Sequence, residues 1–249
     1  MIYDAARLAC VGLLGLLGLA VGCGGADLEA THQSSVVGGQ RTWAWDAVGR
    51  FTRPDHELGF CSGTLVGRRW VLSAAHCFAG RRVFDRRNFF VLSPRPGVEH
   101  RFAIERVIQH PSFSALNLDQ GHDLALVELR RDVTQVNPMG LARSDAWRGR
   151  SVKLVGYGWH RQVGDFDRYR RVGDADINRI MSTHRVGLRR ARGEASTGPG
   201  DSGGPMAWQE EINGTTRWRV AGVHSDGALP RDAIETLVAP YRAWILRRL

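Results

Sequence analysis

Lysine, cysteine and long hydrophobic runs are scarce in this sequence of 249 residues. Lys153 is the one lysine among 34 basic residues, and the net charge is +9. The arginines are scattered, without interleaved aromatic residues or a recognised motif, so the charge does not indicate a nucleic-acid interface. We therefore expect no nucleic-acid partner. No group of histidines has the spacing of a zinc site, which argues against a metal centre.

Of the four cysteines, Cys10 and Cys23 lie in the first 23 residues, and only Cys61 and Cys77 lie beyond them. One even pair in an exported chain indicates one disulfide. A single bridge cannot be the main source of stability, so the chain must bury a hydrophobic core of its own. The roughly 200 residues after the leader are enough for one two-lobed unit.

The one long apolar run lies near the beginning. Residues 8–22 are almost wholly apolar or glycine, and this run is too short and too glycine-rich for a membrane span but typical of a signal-peptide core. The run ends in Leu19-Ala20-Val21-Gly22-Cys23, which resembles a bacterial lipoprotein processing site, where the cysteine is acylated.

This resemblance predicts a lipoprotein-like signal peptide over residues 1–23, followed by a small, polar linker or propeptide over residues 24–35. A lipid on Cys23 would attach the protein to a bacterial envelope membrane, at the outer membrane or in the periplasm. The alternative is an ordinary signal peptide that is cut nearby and gives a secreted protein.

From Val36 onward, short apolar runs alternate with glycine, proline, asparagine and aspartate. The runs are rich in β-branched and aromatic residues, which favours strands over helices. Asn213-Gly214 predicts a tight hairpin turn. One helix is indicated at the end, where Tyr241, Trp244, Ile245 and Leu249 share a face. The pattern predicts an all-β barrel or sandwich. The clearest runs are residues 64–66, 70–72, 89–92, 104–108, 124–127, 152–155 and 218–223.

Three separated blocks carry residues suited to catalysis. The first leads from a strand-like run to His76, the second delivers Asp123 at the start of an apolar run, and the third, residues 198–205, surrounds Ser202 with glycine and proline. Taken alone, His76 would be a structural histidine, Asp123 a turn or cap residue, and the third block a glycine-rich turn.

Taken together in the order His, Asp, Ser, the blocks resemble those of chymotrypsin/trypsin-like serine proteases. Residues 36–39 are similar to the mature N-terminus of that family, residues 61–65 to the strand that bears a cysteine paired with the one beside the histidine, and residues 110–113 to the stretch before the aspartate. The resemblance implies two packed six-stranded antiparallel β-barrels with a C-terminal α-helix. The peptidase domain would then be residues 36–249, with the first barrel at about 36–138, the second at about 139–240 and the helix at about 241–249.

The implied activity is that of a serine endopeptidase acting on a protein or peptide substrate through an acyl-enzyme, without a cofactor. A serine hydroxyl is a weak nucleophile near neutral pH and needs a base, which His76 would supply while Asp123 holds its ring. The backbone N–H groups of Gly200 and Ser202 would form the oxyanion hole. By the same resemblance, Ser225 would support Asp123 from the second barrel and would also be one of the substrate-binding residues.

The resemblance also implies a zymogen. Cleavage before Val36 would free an ammonium group that inserts beside the carboxylate of Asp201 and orders the oxyanion hole. Ser35 stands where arginine or lysine is common in the family, so the identity of the activating protease is unknown.

The primary substrate pocket is expected to have Ser196 at its base and Gly227 and Ala233 on its walls, which suggests an apolar or medium-sized side chain before the scissile bond. Asp226 and Asp232 depart from the family pattern, and either acid could reach a basic substrate group. Asp226 and Ser35 also leave open a catalytically inactive, protease-like binding protein of the cell envelope. A basic protein that binds nucleic acid or the envelope is a third hypothesis without motif support.

Overall fold

The structure is a computed structural model that describes residues 36–54, 56–80, 87–160, 165–166, 168–191, 193–227 and 232–249. The expected signal peptide, the lipid site at Cys23 and the expected linker over residues 24–35 lie outside the described residues. Within the described part, no helix has the length and apolar character needed to cross a membrane.

The first lobe is a closed antiparallel barrel in which phenylalanine and leucine side chains fill the interior. Phe51, Leu65, Leu72, Phe90 and Phe102 are fully buried, as expected where alternate side chains of each strand point inward. After strand β1 (Gln40–Arg41), the barrel strands are β2 (Val48–Arg53), β3 (His56–Gly67), β4 (Trp70–Ser73), β5 (Phe89–Arg95), β6 (Val98–Gln109) and β7 (Ala125–Leu129). Their order around the barrel is β2-β3-β4-β7-β6-β5.

The second lobe is built on an antiparallel sheet of eight strands. Its core includes Leu154, Trp208 and Met206, together with Val36 from the start of the described chain. The remaining strands are β8 (Ser151–Gly156), β9 (Trp159–His160), β10 (Asp165–Phe166), β11 (Arg171–Asp176), β12 (Arg179–Ile180), β13 (Arg185–Arg189), β14 (Pro205–Ile212), β15 (Thr215–Asp226) and β16 (Asp232–Leu237). The order in the sheet is β1-β11-β8-β14-β15-β16-β13-β12, and β9 pairs with β10 separately.

The all-β prediction is confirmed, but the expected second six-stranded barrel is an open half-barrel in the described residues. Its edge strands β1 and β12 have two residues each, too few for the ladder that closure would require. Strand β1 pairs with β11 of this sheet, so the beginning of the expected first-barrel segment packs on the second lobe.

A short helix ends the chain. A 3-10 turn (Ala239–Tyr241) leads into helix α1 (Arg242–Leu246), which is shorter than the expected 241–249. Trp244 and Ile245 are buried against first-barrel residues, whereas Leu249 lies beyond the helix and is 45% exposed. Leu249 was expected on the same helical face as Trp244 and Ile245, but the helix ends before it.

The expected disulfide joins Cys61 of β3 to Cys77 of the 3-10 turn (His76–Phe78) that follows β4, with Cα atoms 6.3 Å apart. The bridge links a long barrel strand to the segment that carries His76. It closes a loop with a sequence separation of 16 residues.

Replacing Cys61 and Cys77 together by alanine should lower the free energy of unfolding by about 3 kcal/mol, because the unfolded chain regains the entropy of that loop. Thermal unfolding should show a melting temperature lower by roughly 6–12 °C. Reductant should shift the parent protein to the same value and leave the double variant unchanged. Equal melting temperatures for the two oxidised proteins would contradict this.

Candidate active site

Strand pairing explains why His76 and Asp123 meet. Strands β4 and β7 are antiparallel neighbours, and Ser73 at the end of β4 lies opposite Ala125 at the start of β7. His76 follows β4 and Asp123 precedes β7, so both residues extend from the same end of this pair of strands. A positive φ of 84° at Gly121 turns the chain just before Asp123.

Asp123 is a buried carboxylate that accepts three hydrogen bonds. Its Oδ2 lies 2.6 Å from Nδ1 of His76, and its Oδ1 accepts the backbone N–H of His76 at 2.8 Å. The hydroxyl of Ser225 donates to Oδ2 at 2.6 Å. The Asp123 side chain has no exposed surface, while 26% of the His76 side chain is exposed. The carboxylate therefore fixes the tautomer and the plane of a ring that reaches the surface.

A β-bulge delivers Ser225 to this carboxylate. In the pairing of β15 with β16, His224 lies opposite Glu235 and Asp226 lies opposite Ile234, so Ser225 is the extra residue between two pairs. Bulges of this kind redirect a side chain and are frequent beside active sites. Ser225 thereby connects the second lobe to the Asp123 loop of the first.

Ser202 lies in a turn with two left-handed glycines. Gly200 has a φ of 88° and Gly203 a φ of 84°, values that favour glycine. A side chain at position 203 would also collide with the hydroxyl of Ser73 and the carbonyl of Ser62. The turn is closed by hydrogen bonds from Asp201 N to Gly198 O and from Gly204 N to Asp201 O. Ser202 is half-buried at its centre.

His76 and Ser202 face a common cleft of about 310 Å³. The Nε2 atom of His76 lies 3.8 Å from the sulfur of Cys77, and the same sulfur lies 3.7 Å from the carbonyl oxygen of Ser202. The cleft is lined by His76, Leu118, Thr197, Gly198, Pro199, Ser202, His224, Ser225, Asp226 and Gly227.

The backbone N–H groups of Gly200 and Ser202 are free of protein acceptors among the described residues. Most N–H groups in a folded chain are paired, so two free donors in one tight turn are unusual. They are the pair expected to form the oxyanion hole, and that role stays a prediction.

Ser62 of β3 anchors the Ser202 turn to the first lobe. Its N–H donates to Ser202 O at 2.8 Å, and its hydroxyl donates to Gly200 O at 2.9 Å. The same hydroxyl oxygen accepts the N–H of Tyr157 at 3.0 Å. One buried serine therefore connects β3, the Ser202 turn and the end of β8. No sequence pattern singles out Ser62, because its role depends on contacts between distant segments.

Asp201 is fully buried beside the Ser202 turn and binds the backbone of Val36. Its Oδ2 accepts the N–H groups of Val36 at 2.8 Å and Gly198 at 2.9 Å, and its Oδ1 accepts that of Gly158 at 2.9 Å. Burial raises the pKa of Asp201, although the nearby His224 and these three N–H groups act against the shift. The insertion of a Val36 ammonium group beside Asp201 after cleavage stays a prediction.

The two cysteines and His76 place nitrogen and sulfur atoms close together, within 4.8 Å of one another. Both sulfurs are joined in the disulfide and are therefore not thiolate ligands. This cluster does not provide a metal site.

A family model described as Trypsin matches residues 36–245. The chain belongs to the trypsin family. Trypsin-1 of Salmo salar is 26% identical over 232 residues, which cover 85% of this chain and 94% of that protein. Kallikrein-8 of Rattus norvegicus is 28% identical over 243 residues, which cover 90% of each.

Two further relatives differ in how much of them this trypsin-family chain spans. It is 28% identical to the suppressor of tumorigenicity 14 protein homolog of Bos taurus across 86% of its own length, but it spans only 28% of that protein. The solved structure of neuropsin, a serine protease expressed in the limbic system of mouse brain, superposes with a TM-score of 0.69 at 23% identity, covering 84% of this chain and 97% of that one. This likeness shows a shared chymotrypsin-like fold.

The expected pocket residues of this trypsin-family chain divide into two groups. Ser225 and Gly227 line the cleft, whereas Ser196 and Ala233 are fully buried and are not among its lining residues. Their roles at the base and wall of a substrate pocket stay predictions. Asp226 lines the cleft, and its carboxylate accepts the N–H of Gly227 at 2.7 Å.

The cleft also contains residues that the sequence analysis missed. Thr197, Leu118 and His224 line it, and His224 is only 2% exposed. The one sequence signal for His224 is a polar residue directly after the apolar run over residues 218–223. That signal has no clear meaning until the partner strand is known.

Ser62→Ala should destabilise the protein by about 1–3 kcal/mol, because the Tyr157 N–H and the Gly200 carbonyl lose their partner inside the structure. We expect a lower midpoint in urea unfolding and a lower rate of labelling of Ser202 by a fluorophosphonate. The matched control is Thr64→Val on the same strand, since the buried Thr64 hydroxyl has no described partner. If Ser62→Ala were as stable as Thr64→Val, the anchoring role would be wrong.

Proposed function

We propose that this trypsin-family chain is a serine endopeptidase with His76, Asp123 and Ser202 as its catalytic triad. The observation that carries the proposal is the hydrogen bond from His76 Nδ1 to a carboxylate with no exposed surface, on a ring whose other side shares a cleft with Ser202. A buried carboxylate costs several kcal/mol unless donors compensate it. Here two of the three compensating donors belong to His76, so burial of the charge also orients the imidazole.

The proposed reaction begins when Ser202 Oγ attacks the carbonyl carbon of the scissile peptide bond. The Oγ proton passes to Nε2 of His76, and Asp123 stabilises the resulting imidazolium. The imidazolium returns this proton to the leaving amine as the C–N bond breaks, which leaves an ester on Ser202. Water then adds to the ester carbon while His76 Nε2 takes its proton. The imidazolium returns this proton to Ser202 Oγ as the C–Oγ bond breaks, and the acid product leaves.

The free N–H groups of Gly200 and Ser202 support the oxyanion part of the proposal. The tetrahedral intermediate places negative charge on the former carbonyl oxygen, and donors that are already in position stabilise it without reorganisation. Removing one such donor typically costs about 3–4 kcal/mol of transition-state stabilisation. Both donors belong to the turn that Ser62 anchors.

We also propose that cleavage before Val36 activates the protein. Val36 has a φ of 40°, which is strained for a β-branched residue and typically costs about 1–3 kcal/mol. The torsion angle φ is defined by the carbonyl carbon of the preceding residue, so cutting that peptide bond removes the strain. It also replaces a single N–H with an ammonium group 2.8 Å from the Asp201 carboxylate. The activating protease remains unidentified.

The proposed setting is outside the cytoplasm. Export is supported by the disulfide and by the apolar run over residues 8–22. We propose a lipid on Cys23 as the attachment to a bacterial envelope membrane, with secretion after ordinary signal cleavage as the alternative. Mass spectrometry of the N-terminal peptide distinguishes an acylated Cys23 from a free terminus.

Ser202→Ala in protein that begins at Val36 should reduce peptide hydrolysis by roughly 10⁴–10⁶-fold, because the nucleophile is lost. A fluorophosphonate probe should label the parent protein on Ser202 and leave the variant unlabelled, with the same melting temperature for both. The His76→Ala variant still has Ser202 but should react slowly with the probe, because it lacks the base. A folded parent protein that neither hydrolyses peptides nor reacts with the probe would instead support the inactive binding protein.

Asp201→Asn in the same protein should reduce the labelling rate at least about tenfold, because removing one member of a buried ion pair costs about 3–5 kcal/mol. Protein that retains residues before Val36 should also be labelled slowly, because it has no ammonium group at Val36 to pair with Asp201. N-terminal sequencing of the active form should begin with Val36. Equal labelling rates for the cut and uncut proteins would refute the activation step.

A further inference from the structure

Arginines that are scattered along the sequence meet at one end of the first barrel. Strand β4 begins directly after residues 68–69, and its antiparallel neighbour β7 ends directly before residues 130–131. Each of these pairs is Arg-Arg, so four arginines leave the two strands at the same end. The pairs are in contact, because Nη2 of Arg69 donates to the carbonyl of Arg130 at 3.4 Å.

Two further segments reach this end of the barrel. The N–H of Arg130 donates to the carbonyl of Ala103 in β6 at 2.9 Å. The last residue of the chain also packs here, because a side chain at Gly67 would come within 3.1 Å of Leu249 Cδ2. We call the surface formed by these four segments the basic end. It comprises residues 67–69, 101–106, 128–132 and 246–249.

Positive charge exceeds negative charge at the basic end, which contains eight arginines and four acidic groups. Glu128 pairs with Arg69 and with Arg106. Glu105 pairs with Arg130, and both of these side chains are about half exposed. Pairing therefore leaves a surplus of arginines on an exposed surface. The acidic groups are the carboxylates of Glu105, Glu128, Asp132 and the chain end.

Two exposed leucines lie among these charges. Leu246 is 43% exposed and Leu249 is 45% exposed. They are three residues apart in the last turn of the chain, a spacing that places side chains on one side of a helical turn. Trp70 and Trp244, which border the basic end, are only 7% exposed. Aliphatic side chains within a basic surface suit the boundary between lipid headgroups and acyl chains, whereas single-stranded nucleic acid stacks on exposed aromatic rings.

The basic end lies opposite the proposed active site. His76 follows the last residue of β4 and Asp123 precedes the first residue of β7, so both leave the strand pair at its other end. The two strands have four and five residues, which separates their ends by roughly 10–15 Å. A surface bound at the basic end therefore leaves the cleft open to substrate.

We propose that the basic end docks on an anionic phospholipid membrane. Its arginines lie against lipid phosphates, while Leu246 and Leu249 enter the headgroup region. The net charge of +9 favours the approach to a negatively charged surface. This interaction goes beyond the proposed protease function and does not depend on it. It would also keep at the membrane a protein that cleavage before Val36 has separated from a lipid on Cys23.

The test measures co-sedimentation with vesicles of phosphatidylcholine, alone or mixed in equal parts with phosphatidylglycerol. Ser202→Ala protein that begins at Val36 is used, because it contains both hydrophobic cores and cannot digest itself. It should bind the mixed vesicles at least about tenfold more tightly than phosphatidylcholine vesicles, and salt should weaken this binding. Equal binding to both kinds of vesicle, or binding to neither, would overturn the proposal.

The arginines are tested by substitution in the same protein. Arg68→Gln combined with Arg130→Gln and Arg131→Gln should reduce binding to the mixed vesicles by roughly 100-fold, because three charges next to the lipid phosphates are lost. Arg68→Gln alone changes an exposed side chain without a described partner and should reduce binding about fivefold. Unchanged binding of this single variant and of a folded triple variant would contradict docking at the basic end.

The matched control removes the same amount of charge from the second lobe. Arg148→Gln, Arg179→Gln and Arg217→Gln together change three exposed arginines of that lobe. This control should lose less than about tenfold in binding, because only long-range attraction is weakened. A control that binds as weakly as the first triple variant, at equal melting temperature, would show that net charge and not the basic end determines binding.

A fluorescent label reports which end of the barrel faces the membrane. Leu249→Cys places an environment-sensitive dye at the basic end. Leu116→Cys places it in the loop beside the cleft, where Leu116 is 99% exposed and Leu118 lines the cleft. Vesicles should shift the emission of the dye at position 249 to shorter wavelength and leave the dye at position 116 unchanged. A shift at position 116 would mean that the cleft end binds the membrane and that the proposal is wrong.

Nucleic acid is the competing ligand for a surface of this charge. At equal salt, duplex DNA should bind more weakly than the mixed vesicles. Tighter binding of DNA that is lost in the triple variant of the basic end would assign this surface to nucleic acid. All of these measurements use protein without the Ser202 hydroxyl, so their outcome is separate from that of the protease proposal, which fluorophosphonate labelling of the parent protein tests without vesicles.

Discussion

The site depends on how the charge of Asp123 is compensated inside the protein. The carboxylate has no exposed surface, and its three donors come from His76 on the first lobe and Ser225 on the second. An isolated buried carboxylate would protonate or recruit water, so the two lobes must keep one relative arrangement for the charge to persist. That arrangement also brings the Ser202 turn beside His76. The burial of the Asp123 charge thus depends on the same lobe arrangement that brings His76 and Ser202 to one cleft.

Asp201 applies the same constraint to the Ser202 turn. Its three N–H donors come from Val36, Gly158 and Gly198, which lie far apart along the chain. Side chains at Gly156 and Gly158 would collide with this carboxylate, so glycine is required where β8 passes it. Two residues anchor the turn that carries Ser202. Asp201 accepts the N–H of Gly198, and Ser62 donates to the carbonyl of Gly200.

Features that arise from local pattern could be predicted from the sequence. The apolar runs at residues 89–92, 152–155 and 218–223 all lie within observed strands, and the glycine-rich block around Ser202 is an irregular turn. Features set by pairing between distant strands could not be predicted in this way. The bulge at Ser225 and the pair of His224 with Glu235 require the register of β15 on β16, which a single sequence does not contain. The open second sheet depends similarly on how short its edge strands are.

The pair of His224 and Glu235 lies on the same two strands that position Ser225. Nδ1 of His224 is 2.6 Å from Glu235 Oε2, and neither side chain is more than 2% exposed. Burial acts to lower the pKa of the ring, but the charge and hydrogen bond of Glu235 raise it. Because His224 directly precedes the bulge at Ser225, this contact holds β15 on β16 next to the residue that donates to Asp123. Compensation of buried polar groups therefore fixes the second-lobe side of the site as well as the first-lobe side.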